Sequence, residues 1–242
     1  EWFGCSCCPP NIARWLASLG GLIYGESASE LAVHQYLGSQ AELRLGDLPV
    51  GVTLSGDYAW QGQLRLTLQP ARAARFTVAL RVPAWAGKVA VRLGGQTLRA
   101  KVQRGYARIT RIWQPGETLE LTFPMVPQRV YGHPELTAVW GRVALQRGPV
   151  VYAIESDDLG QKLDQVALPA KAVLHAQARP DLLGGVTVLT GTAVRLQPAT
   201  GAAPLYEPTP PTSRPVPFMA IPYYAWGNRN PGDLRVWLRE QP

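Results

Sequence analysis

Leu64-Arg65-Leu66-Thr67-Leu68, Phe76-Thr77-Val78-Ala79-Leu80-Arg81-Val82 and Leu119-Glu120-Leu121-Thr122-Phe123 carry an apolar residue at every second position. A period of two sends successive side chains to opposite faces, so each run reads as a strand with one buried face. Pro83, Gly94-Gly95 and Gln114-Pro115-Gly116 punctuate these runs at close intervals, which is the pattern of an antiparallel sandwich. A first β-domain is thus expected over residues 25–128. Met125-Val126-Pro127 marks a crossing, after which strand-like runs resume at 137–140, 143–146, 150–155, 172–178, 186–189 and 194–196. These define a second β-domain over 129–233. Residues 198–217, rich in Pro, Ala and Thr, exclude a central strand and predict an extended loop. The closing alternation within 234–242 is a candidate strand to complete the first domain. The expected fold class is mainly β, with two antiparallel, jelly-roll-like β-sandwich domains.

One segment departs from this period. Pro9-Pro10 suits a first helical turn, Ile12, Trp15, Leu16 and Leu19 recur at i, i+3, i+4 and i+7, and Gly20-Gly21 suits a stop. The chain offers this apolar stripe no amphipathic partner helix. Residues 1–24 are therefore expected to be the last helix of a domain whose bulk lies upstream.

The 242 residues are 46% hydrophobic and 17% charged, the composition of a globular protein with real cores. The net charge of +7 invites a polyanion. Only four of the 24 basic residues are lysine, however, and the arginines stand singly along alternating strands. That spacing reads as solvated strand faces and argues against nucleic acid. No apolar run approaches the roughly 18 to 20 residues of a membrane span. Nothing in the pattern specifies an oligomeric state.

All three cysteines fall in Cys5-Ser6-Cys7-Cys8, directly before the helix. Adjacent cysteines bridge each other poorly, because a disulfide needs Cα atoms about 4.4 to 6.8 Å apart with suitable Cβ directions. Metal binding or thiolate reactivity fits better. Free N–H groups and the dipole at a helix N-terminus stabilise a thiolate, and a bound zinc does so further. The competing reading is that the three are buried small hydrophobes. A complete zinc ribbon is unsupported, since its usual second Cys or Cys/His pair is missing from these residues.

The stretch Trp2-Phe3-Gly4-Cys5-Ser6-Cys7-Cys8-Pro9-Pro10-Asn11-Ile12-Ala13-Arg14, followed by Leu19-Gly20 and Ile23-Tyr24, resembles glycoside hydrolase family 127, the β-L-arabinofuranosidases. Leu80-Arg81-Val82-Pro83-Ala84-Trp85, Tyr106 to Trp113 with Gly116, Val143 to Tyr152 through Arg147-Gly148-Pro149, and Ile221 to Arg229 extend the resemblance along the chain. The resemblance implies an α/α-barrel catalytic domain, mostly missing here and upstream, followed by two β-sandwiches. It implies a retaining glycosidase that removes β-linked L-arabinofuranosyl residues from an arabinose-containing glycan or oligosaccharide. Family members hold zinc with a glutamate and three cysteines, one of which attacks the anomeric carbon. Matching the adjacent pair makes Cys7 the nucleophile and a zinc ligand, and Cys8 a second zinc ligand. The remaining ligands and the acid/base carboxyl group would lie upstream, so the isolated chain is expected to be inactive. Cys5 receives no role.

Two further readings stay open: a non-catalytic β-sandwich carbohydrate-binding or interaction module with structural cysteines, and a redox thiol protein. Thiols and zinc ligation favour a reducing compartment, hence the cytoplasm. His34, His133 and His175 are dispersed and read as structural or surface residues. Trp85, Trp113, Trp140, Trp226 and Trp237 read as core packing rather than a sugar platform. Asp157-Asp158 before Gly160 reads as a polar turn, without the ligand series of a calcium loop. The aromatic turn 223–229 is the best place for a second functional surface, with inter-domain contact favoured over ligand binding.

Overall fold

The structure, a computed structural model, describes residues 7–197, 206 and 208–241. Its chain divides into two compact units, Glu1–Pro124 and Met125–Pro242.

The first unit begins with helix α1 (Cys8–Ser18), followed by a 3-10 turn over Leu19–Leu22. Eleven strands follow: β1 (Tyr24–Glu26), β2 (Glu30–Val33), β3 (Ser39–Leu45), β4 (Leu48–Asp57), β5 (Gln63–Pro70), β6 (Ala74–Arg81), β7 (Ala90–Leu93), β8 (Gln96–Thr97), β9 (Lys101–Gln103), β10 (Tyr106–Trp113) and β11 (Glu117–Thr122). They form two sheets, in the orders β1-β2-β6-β10-β9 and β3-β4-β5-β11-β7-β8. Leu31, Val33, Val78 and Leu80 from one sheet and Val50, Val52, Leu66, Leu68, Leu119 and Leu121 from the other belong to a single buried cluster. The first unit is therefore a sandwich, as the alternation predicts. Trp113 is fully buried in it, and its indole N–H donates to the Phe76 carbonyl at 3.1 Å. Gly94-Gly95 joins β7 to β8 with φ of +55° and +80°, the two left-handed positions of a tight type I′ hairpin.

The second unit contains β12 (Pro127–Val130), β13 (Arg142–Arg147), β14 (Val150–Glu155), the short helix α2 (Ser156–Leu159), β15 (Val166–Pro169), β16 (His175–Arg179), β17 (Val186–Leu196), β18 (Ser213–Pro222), β19 (Leu234–Arg235) and β20 (Leu238–Gln241). Six of these strands close a ring, β13-β20-β15-β17-β18-β14 and back to β13. The core of Val143, Leu145, Tyr152, Ile154, Leu189 and Phe218 comes from the same strands. The second unit is thus a small closed barrel, which corrects the expected second sandwich. The closing rung is parallel, pairing Ala167 with Arg239 and Leu168 with Glu240, and closure removes two open edges. It also corrects the provisional use of 234–242, since Leu234–Arg235 and Leu238–Gln241 pair with β13, β14 and β15 of the second unit. The division falls at 124/125 rather than 128/129, because β12 pairs with β13.

Three local expectations change. Residues 137–139 form a 3-10 turn, not a strand. Residues 186–189 and 194–196 are parts of one strand, β17. Within the loop expected over 198–217, β18 begins at Ser213 and contains Pro215, Pro217 and, further on, Pro222; residues 198–205 and 207 lie outside the described residues. Proline cannot donate to a ladder. Pro215 and Pro217 share one edge of β18, so the N–H groups of Arg214, Val216 and Phe218 serve β17, while β14 joins only from Ala220 onward. The prolines occupy the side where no neighbour asks for a donor.

Burial also sets an alkaline limit. Burial pushes the Tyr152 phenol up to about 12, against the opposing charge of Arg147. Tyr36, whose hydroxyl donates to the Arg81 carbonyl at 2.6 Å, is raised further, chiefly by burial. A phenol whose folded pKa exceeds its unfolded value near 10 contributes stability that is complete below pH 10. That contribution is lost as pH rises through the folded value. Denaturant midpoints should therefore hold to about pH 10 and fall between roughly pH 10 and 12, with phenolate absorbance of these tyrosines appearing only as the protein unfolds.

Candidate active site

The sulfurs of Cys7 and Cys8 lie 3.6 Å apart, both on exposed residues at the start of α1. Cys7 occupies the N-cap with helical φ and ψ of −73° and −38°, and its carbonyl accepts the Asn11 N–H at 3.2 Å. Two thiolates on one tetrahedral zinc, each at about 2.3 Å, sit about 3.8 Å from one another. The pair thus fits one edge of such a site. Cys5 lies outside the described residues, and among the described residues no three His, Cys, Asp or Glu side chains gather as a metal cage.

The helix start differs from the expected cluster of free donors. Of the first four residues, Pro9 and Pro10 have no N–H, and that of Asn11 is taken by Cys7. Cys8 alone has an N–H outside the helix ladder. The helix start therefore offers a thiolate fewer N–H donors than the sequence reading expects, and stabilisation of the thiolate falls more to the helix dipole and to a bound cation. The two prolines in the sequence carry this information.

Helix α1 has no buried residue, and Ile12, Trp15 and Leu16 are each more than half exposed. The apolar stripe read from the sequence is present and uncovered.

Each of the other residues singled out has its own setting within its unit. His34 Nδ1 pairs with the Tyr106 hydroxyl at 2.7 Å, His133 lies beside Glu135, and His175 is exposed on β16. Trp113 is core and Trp85 packs partly buried against the same cluster, whereas Trp140 and Trp226 are exposed. Arg147-Gly148-Pro149 makes the expected turn, pairing Arg147 with Val150 around Gly148 at φ +58°.

Sequence reasoning missed an ion cluster built on a buried carboxylate. The Glu155 side chain, 6% exposed, accepts from Arg229 Nε at 3.0 Å and also from Nη2. Arg229 Nη1 and Nη2 donate to Asp158 at 2.9 and 2.6 Å. Its carboxylate partners, Asp158 foremost, raise the Arg229 pKa. Asp157-Asp158 is accordingly a receptor for arginine. The only sequence signal was a carboxylate ending the apolar run of β14.

The second half of the chain, residues 127–239, matches the model of the glycoside hydrolase family 127 C-terminal domain. Residues 30–125 match that of the family 127 β-L-arabinofuranosidase middle domain. A non-reducing end β-L-arabinofuranosidase from Bifidobacterium longum subsp. longum is 33% identical over 99% of this chain and 38% of that protein. The crystal structure of a family 127 β-L-arabinofuranosidase from Geobacillus stearothermophilus T6 superposes with a TM-score of 0.94 at 43% identity, over 100% of this chain and 38% of that one. A second solved structure, described as a family 127 β-arabinofuranosidase, gives 0.87 at 31% identity over 99% of this chain and 39% of that one. The chain spans about two fifths of the length of each relative.

Proposed function

The chain belongs to glycoside hydrolase family 127, and from that membership we propose that it is the C-terminal part of a retaining β-L-arabinofuranosidase whose nucleophile is Cys7. Its substrate is an arabinose-containing glycan or oligosaccharide, and the catalytic domain precedes residue 1 in the same polypeptide. The observation that carries the reading is the pair of exposed thiols 3.6 Å apart at the head of α1. The spacing suits two ligands of one zinc, which packing cysteines in a non-catalytic module do not require.

Cys7 and Cys8 would hold zinc together with residues supplied from upstream. Bound zinc supplies positive charge that keeps soft thiolates deprotonated near neutral pH. The Cys7 sulfur attacks the anomeric carbon, forming a C–S bond as the glycosidic C–O bond breaks. The departing oxygen takes a proton from a carboxylic acid outside this chain. Water, deprotonated by the resulting carboxylate, then attacks the same carbon and returns the bonding pair to sulfur. Two inversions give net retention. The uncovered face of Ile12, Trp15 and Leu16 seats α1 against the upstream domain, and the thiol and zinc chemistry favours a reducing compartment such as the cytoplasm.

The test is hydrolysis of p-nitrophenyl β-L-arabinofuranoside by the full-length protein under reducing conditions, with bound zinc measured on the same sample. Turnover with one zinc per chain supports the reading. A full-length, folded protein that neither binds zinc nor turns over the substrate sinks it.

A further inference from the structure

Beyond β18 the chain runs Tyr223-Tyr224-Ala225-Trp226-Gly227-Asn228-Arg229, and its underside is held at many points. Tyr223–Ala225 is a 3-10 turn, closed by the Trp226 N–H donating to the Tyr223 carbonyl at 3.2 Å. Ala225 is buried. The Asn228 side-chain amide donates to the carbonyls of Ala225 and Trp226 at 3.1 and 3.3 Å. The Gly227 N–H reaches Glu155 Oε1 at 3.3 Å, and Arg229 is clamped between Glu155 and Asp158. Asn230 ties the next residue to Asp157. Above this base stand Tyr223, Tyr224 and Trp226, exposed by 50%, 66% and 44%.

We propose that the Tyr223, Tyr224 and Trp226 face is a docking surface for the polypeptide that precedes residue 1, a second contact besides α1. The proposal rests on the reading above that such a domain exists in this protein. Three arguments select this occupant. The amide of Asn228 is engaged by carbonyls of its own loop, and the guanidinium of Arg229 and the N–H of Gly227 by Asp158 and Glu155, so the outward face presents chiefly three amphipathic rings of the kind enriched at protein interfaces. A sugar needs hydrogen-bonding side chains beside its stacking ring, whereas an apolar protein surface does not. The loop is already ordered, so docking loses little conformational entropy. Finally, relatives carry more than half of their length outside the part matched here. A domain tethered to residue 1 meets this face at an effective concentration of about millimolar, far above that of a second copy or a free partner.

Hydroxyl-radical footprinting of the full-length protein, read by mass spectrometry, tests the proposal. Tyr206, 91% exposed in this chain, serves as the internal reference. Oxidation of Tyr223, Tyr224 and Trp226 roughly tenfold slower than that of Tyr206, at every protein concentration and without added sugar, is the expected result. Rates equal to that of Tyr206 overturn the proposal. Protection that appears only at high protein concentration overturns it in favour of self-association, and protection that appears only with an added arabino-oligosaccharide overturns it in favour of a glycan surface. Turnover of the nitrophenyl substrate in the same preparation separates the two readings: a protected loop without turnover sinks only the activity, and turnover with an exposed loop sinks only the docking.

Discussion

Cys7→Ser in the full-length protein lowers kcat/KM for an aryl β-L-arabinofuranoside by roughly 10⁴-fold or more, the scale of removing a covalent nucleophile. Serine keeps the size and loses the soft, readily ionised sulfur. Because Cys7 is exposed in this chain and belongs to neither buried core, the substitution leaves the denaturation midpoint of both β-units within about 0.5 kcal/mol of wild type. Cys8→Ser separates the two roles of the pair. It lowers zinc content and activity together, and excess zinc restores part of the activity, while no zinc concentration restores Cys7→Ser. A Cys7→Ser protein within tenfold of wild type would remove the nucleophile assignment and return the cysteines to a structural role.

The largest stability effect is expected at Arg229. Arg229→Met leaves Glu155 buried without its cation and Asp158 without its bidentate partner. Removing one member of a buried pair destabilises by about 3–5 kcal/mol, far more than loss of an exposed ion pair. The second unit should lose that amount in urea unfolding, while the first unit's transition stays in place. Adding Glu155→Leu recovers most of the loss, because an apolar pair in place of a buried ion pair is close to neutral. A loss below about 1 kcal/mol, or a double variant no better than the single one, would show that the cluster does not hold the 223–229 loop.

The first unit was legible because its longer strands carry an apolar residue at every second position, on the face that packs into the shared core. At β5 and β11 the alternation maps directly onto buried Leu64, Leu66, Leu68, Leu119 and Leu121, whereas in β6 Ala79 is buried along with Val78 and Leu80. The barrel was not, for three physical reasons. Its closing rung is a parallel pairing of β15 with β20, distant in sequence and without a turn signature. Strand β18 hides behind prolines that only its register makes tolerable. The Glu155–Arg229 pair joins residues 74 positions apart, which no local pattern records. At the candidate site, the clustering of cysteines in the sequence singled out Cys7 and Cys8, whose sulfurs lie 3.6 Å apart. The sequence reading counted helix N–H donors that Pro9 and Pro10 do not possess.

Intact and peptide mass spectrometry of the full-length protein, treated with a β-L-arabinofuranosyl derivative carrying an electrophilic anomeric trap, tests the central claim most directly. The account predicts one pentosyl-derived adduct per chain, located on Cys7, with loss of activity in proportion to labelling and no adduct in Cys7→Ser. Inactivation with the adduct on any other residue, or unchanged labelling of Cys7→Ser, would contradict it.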